Sequence, residues 1–120
     1  MRKLSKKINI CFVSSLFAED YKNADKPKRF PKIDHCDYFL FTNLKPENFQ
    51  TSWEIVQVNN SSFQDNISSN IIRSRYFKFM SWQHIENHFD KKYDVIFYID
   101  ACMSPRNTNF WPSIAKDILK

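Results

Sequence analysis

An α/β fold is what this sequence predicts: a mostly parallel sheet of about four strands, joined through one long crossover helix. Three observations point there. Four short apolar runs recur along 120 residues. Three of them are continuous rather than alternating, as strands covered on both faces of a parallel sheet are. One long helical stretch separates the last two runs, long enough for the crossover that a parallel pair requires.

The runs are "INICFV" (8–13), "DYFLFT" (37–42), "WEIVQV" (53–58) and "DVIFYI" (94–99), each of strand length and rich in β-branched or aromatic residues. "WEIVQV" partly alternates, which suits a place nearer a sheet edge. The helix is expected over 68–89, capped by Ser68 or Ser69, with Ile72, Tyr76, Phe79, Met80 and Gln83 at helical spacing. A shorter helix is expected near 110–119, where Pro112 falls in the first turn and is tolerated. Residues 19–36, with Pro27 and Pro31, predict a long irregular connection, and 59–66 a loop.

Size and composition narrow the function. A chain of 120 residues predicts a single domain over 1–120. Apolar residues make up 42% and charged residues 26%, the usage of an ordinary globular protein. Glycine is absent, where average usage near 7% would give roughly eight. Every glycine-dependent phosphate loop is therefore excluded, because those turns need a residue without a Cβ. Abundant Lys, Asn, Ile and Phe resemble the codon bias of an AT-rich genome, which lowers the weight of Lys and Asn counts.

The net charge of +5 invites a nucleic-acid reading, but its distribution argues against one. Residues 1–32 hold nine Lys/Arg against three Asp/Glu, whereas residues 33–120 hold nine against ten. The basicity belongs to the N-terminal end, no RNA-binding motif is recognisable, and no nucleic-acid partner is expected. Cys11, Cys36 and Cys102 are odd in number and form no C-x-x-C pair, so a reducing, cytoplasmic compartment is the simplest home. The start imitates a signal peptide. Asn9, Ser14 and Ser15 interrupt its apolar run, so a first strand is expected there, with a signal peptide or anchor over 1–18 as the alternative. No segment reaches the roughly 18 to 20 apolar residues of a membrane span.

Ligands of such sheets bind beyond the carboxyl ends of the strands. That rule selects Ser14 and Ser15 after the first strand, Thr42 and Asn43 after the second, and Asp100 to Cys102 after the fourth. Asp100 fits two readings: a carboxylate that ends a strand and caps a turn, or one that holds a hard divalent cation carrying a diphosphate. Metal-binding carboxylates usually come as Asp-x-Asp, and here the third position is Cys102, whose thiolate suits Mg²⁺ or Mn²⁺ poorly. Arg73, Arg75 and Lys78 form a basic cluster in the long helix, with Arg75 and Lys78 on one face, suited either to solvent or to a diphosphate. His84 and His88 lie at i and i+4, but Glu86 is one place late for H-E-x-x-H, so an exposed helix end is expected. "DHCD" (34–37) predicts a turn entering the second strand. The N-x-S sequons at Asn59, Asn60 and Asn66 matter only in a secreted chain.

Taken in order, "CDYFLFTN" (36–43), "WEIVQVN" (53–59), "NIIRSRYFKF" (70–79) and "YDVIFYIDA" (93–101) resemble the GT-A-type glycosyltransferase-like domains found in plant Golgi proteins, bacterial polysaccharide loci and large DNA viruses. The resemblance covers roughly 36–101, and its most specific element is the helix that carries Arg73, Arg75 and Lys78, followed by a strand ending in Ile-Asp. It implies a Rossmann-like half-domain that binds a nucleotide-diphosphate sugar. Ser14, Ser15, Thr42 and Asn43 would line the nucleotide cleft, and Arg73, Arg75 and Lys78 would face the diphosphate. Asp100, with Mg²⁺ or Mn²⁺, would be the first acid of a degenerate Asp-x-Asp whose second position is Cys102. It also implies a glycan or protein acceptor bound by parts that usually lie beyond this stretch, so that the chain would be a truncated product, a fragment, or a subunit whose sheet an oligomer or a partner completes. A non-catalytic remnant that binds nucleotide or protein is the alternative.

Overall fold

The structure is a computed structural model and describes residues 8–20, 22, 24, 26–59, 70–89, 92–101 and 110–119. Its strands are β1 (Ile10–Leu16), β2 (Cys36–Thr42), β3 (Glu54–Gln57) and β4 (Val95–Tyr98), and its helices are α1 (Asn70–Phe89) and α2 (Phe110–Ile118). A single turn of 3-10 helix, Pro46–Asn48, begins on a proline and lies between β2 and β3. The strands form one sheet in the order β3-β2-β1-β4, and all three pairings are parallel. The expected α/β layout is therefore present, with "WEIVQV" contributing an edge strand.

Chain order and sheet order together fix the layering. From β1 the chain steps to β2 and β3 on one side, then crosses back over β1 to β4 on the other. Right-handed crossovers in opposite directions put their connections on opposite faces. On one face Ile10, Phe12, Leu16, Tyr38 and Leu40 pack with Ile33 and Phe30 of the connection and with Trp111 and Ala115 of α2. On the other, Cys11, Val13, Phe39, Phe41 and Val58 pack with Phe77 and Ile85 of α1. Every residue of β1 is buried, which explains its continuous apolar run.

Aromatic stacking defines both layers. Phe12 lies between Tyr38 (5.0 Å between centroids) and Phe97 (5.5 Å), with Trp111 edge-on at 5.3 Å. On the α1 side Phe77 stacks on Phe41 at 4.6 Å and on Phe17 at 5.6 Å, while Phe89 stacks on Phe39 at 5.3 Å. Later helix residues thus meet earlier strand residues. The helix runs antiparallel to the strands, and its N-terminal half lies over their carboxyl ends.

Three expectations need correction. The first strand starts at Ile10 and runs on through Ser14, Ser15 and Leu16, so both serines are inside it and not beyond it. Small hydroxyl residues fit the crowded centre of the sheet, and strand pairing to Leu40 and Phe41 holds them there. The face of α1 also differs. Phe77, Ser81 and Ile85 are buried, whereas Tyr76 and Phe79, expected in one stripe, point outward, Phe79 being 69% exposed. Apolar side chains occur all round this helix, and the row containing small Ser81 takes the close approach to β1. Finally, His84 is not an exposed end residue; it lies edge-on against Phe41 at 5.1 Å and Phe77 at 5.4 Å.

The "DHCD" turn is as expected, with Asp34 and His35 turning the chain into β2 at Cys36 and His35 taking a φ of 67°. No helix among the described residues is long and apolar enough to cross a membrane.

Candidate functional site

The direction of winding reverses beside β1, and in open parallel sheets that reversal leaves a crevice outside the carboxyl ends of the two strands concerned. Here the strands are β1 and β4. Their pairing runs from Ile10 opposite Val95 to Val13 opposite Tyr98, and the Ile99 N–H donates to the Val13 carbonyl at 2.9 Å. That last bond holds the chain extended one residue past β4. Asp100 follows, exposed, at the lip of the crevice.

Three elements send side chains there. From β1, the Ser15 hydroxyl is 2.9 Å from the Tyr98 hydroxyl at the end of β4. From α1, the Lys78 ammonium lies over the Tyr98 ring, 5.6 Å from its centroid. Burial pushes the Tyr98 hydroxyl above the usual tyrosine range and the Asp100 charge adds to this, while hydrogen bonding by Ser15 opposes it. Arg73, half-buried, belongs to the same helix just over one turn earlier.

The other expected residues are distributed differently. Ser14 and Thr42 are fully buried, and by strand alternation both face the α2 layer. The Ser14 hydroxyl has no hydrogen-bond partner among the described residues. Thr42 accepts the Leu44 N–H at 3.1 Å through its side chain and the Val58 N–H at 2.7 Å through its carbonyl. Asn43 clamps the exit of β1: its amide donates to the Ala18 carbonyl at 2.7 Å, and the Ala18 N–H donates to its side-chain oxygen at 3.1 Å. Thr42 and Asn43 thus shape the loops that border the crevice. Arg75 belongs to α1, but its side chain, like all of Cys102, lies outside the described residues.

Tyr98 was not among the residues selected from sequence. A signal for it exists. Period-two alternation puts Tyr98 and Asp100 on one face of an extended segment, so a hydroxyl two residues before a candidate carboxylate belongs to the same site.

Among the described residues no group of three or more His, Cys, Asp or Glu is placed to hold a metal ion. Asp100 supplies one hard oxygen ligand. A Mg²⁺ ion commonly takes one or two carboxylates and completes its shell with water and substrate phosphates, so this donor set fits an ion that arrives with a diphosphate. Comparison with family models, with curated proteins and with solved structures finds no match to this chain.

Proposed function

We propose that this chain is a glycosyltransferase, or the donor-binding portion of one, that takes a nucleotide-diphosphate sugar and serves a glycan or protein acceptor. The observation that carries the reading is the meeting of Ser15, Tyr98, Lys78 and Asp100 at the winding reversal of an all-parallel sheet. The nucleotide would lie along the exits of β1 and β2, bordered by the clamp of Asn43 on Ala18. Lys78 and Arg73, joined by Arg75, would offset phosphate charge at the N-terminal half of α1. Asp100 would hold Mg²⁺ or Mn²⁺ jointly with the diphosphate. When bound, that ion supplies charge neutralisation of the leaving diphosphate.

Titration calorimetry with a panel of nucleotide sugars, with and without Mn²⁺, tests this on the wild type and on Asp100→Asn. Binding of at least one donor is expected, strengthened by Mn²⁺ in the wild type and not in Asp100→Asn. Failure of every donor to bind would sink the reading. Binding that ignores both the metal and Asp100→Asn would favour a non-catalytic nucleotide-binding module instead.

A further inference from the structure

We propose that Tyr98 is a positioning residue for an anion subsite: its ring holds the Lys78 ammonium at the mouth of the crevice, and its hydroxyl, tied to Ser15, fixes where that ring lies. The inference rests on the donor reading above and deepens it, naming the diphosphate group as the ligand class that this device receives.

The argument starts from Lys78. An exposed lysine has a long side chain whose ordering on binding is unfavourable. Over the Tyr98 ring the ammonium is already localised by attraction to the ring face. That attraction acts through charge, so N–H donors turned away from the ring stay available to phosphate oxygens. The ring in turn is held from behind. Its hydroxyl meets Ser15, which belongs to the fully buried central strand and is itself 6% exposed. A rigid strand, a tethered ring and a localised cation form one chain of contacts from the core to the crevice.

Asp100 gives such a cation a use beside any metal ion that it shares with the diphosphate. A diphosphate brings negative charge toward a carboxylate two residues beyond Tyr98, and like charges repel strongly at close range. Lys78, on the adjoining helix, reaches the ring of that same strand and so brings positive charge to the face on which Asp100 lies.

The test measures binding of inorganic pyrophosphate and of UDP to the full chain in the presence of Mg²⁺, for the wild type, Lys78→Gln, Tyr98→Leu, Tyr98→Phe and the double variant Lys78→Gln/Tyr98→Leu. Lys78→Gln is expected to weaken pyrophosphate binding about tenfold and Tyr98→Leu about threefold to fivefold. The double variant should bind no more weakly than Lys78→Gln alone, because Tyr98 acts through Lys78. Tyr98→Phe keeps the ring face but frees it from Ser15, and should weaken binding about twofold, less than Tyr98→Leu. By NMR, the ε-methylene protons of Lys78 should be shifted upfield by the ring in the wild type, less so in Tyr98→Phe, and return to ordinary positions in Tyr98→Leu.

Single effects that multiply in the double variant, or a Tyr98→Leu protein that binds as tightly as the wild type, would overturn the proposal. Should Tyr98→Leu fail to fold, an unchanged affinity in Lys78→Gln or an unshifted Lys78 in the wild type would overturn it equally. Coupled pyrophosphate binding without affinity for any nucleotide sugar would keep this inference and remove the donor reading. Nucleotide-sugar binding indifferent to Lys78 and Tyr98 would do the reverse, and absence of both would remove both.

Discussion

The two ends of the β1/β4 pair are built from similar residues and do opposite things. Each has a tyrosine and at least one aspartate. At the amino end, Tyr93 donates its hydroxyl to the Asp37 carboxylate, and Asp94 accepts the Asn9 N–H at 2.9 Å. At the carboxyl end the tyrosine is engaged by a serine instead, and Asp100 is left exposed. A carboxylate consumed by its neighbour closes a sheet end. One whose neighbour is satisfied elsewhere remains available to a ligand.

The comparison is tested most severely at the residue both ends depend on. Phe12, in the middle of β1, should cost about 3–5 kcal/mol when replaced by alanine, since the cavity lies among three aromatic rings. Denaturant unfolding should show both ends loosened together.

Tyr93→Phe separates them. Loss of a hydrogen bond to a charged acceptor should lower stability by about 1.5–3 kcal/mol, while nucleotide-sugar affinity measured by calorimetry stays that of the wild type. A fall in affinity would show that the amino end is not purely structural.

The same residue gives a pH signature. Burial and the bond to Asp37 both raise the Tyr93 hydroxyl, so the folded chain holds this proton more tightly than the unfolded chain. The contribution is full below the unfolded tyrosine range near pH 10, and is lost progressively as the pH climbs beyond it. Alkaline melts should therefore fall more steeply for the wild type than for Tyr93→Phe.

The smallest expected effect is at the carboxyl end. Asn43→Ala removes both bonds to Ala18 and should cost about 1 kcal/mol. It should also speed exchange of the Ala18 amide and leave exchange in β4 unchanged.

Much of this architecture is visible in the residues themselves. Continuous apolar runs mark strands covered on both faces, and one long helical segment before the last of them is long enough to serve as the crossover that a parallel pair requires. What escapes is what tertiary packing decides. Ser14 and Ser15 look like the end of a strand because hydroxyls are common there, yet small side chains also suit a crowded sheet centre. Tyr76 and Phe79 look like core because they are large and apolar, but Phe77 and Ile85 offer the helix an equivalent row, with a small residue between them. Of the site, Asp100 and Lys78 stand out by charge and place. Tyr98 hides inside an apolar strand, since a tyrosine there counts toward burial and its hydroxyl is overlooked. Asn43 is legible as a polar residue at a strand exit, but its use as a loop clamp depends on a partner in a distant segment.

The Ser15 to Tyr98 contact joins residues 83 apart in sequence. Long-range pairings of this kind are closed late and slowly, because a large loop must first be brought together. The crevice is therefore expected to come into being only when the last strand docks against the first. Ligand binding should accordingly lag behind the gain of helix signal in stopped-flow refolding. Simultaneous recovery would show that β4 docks early.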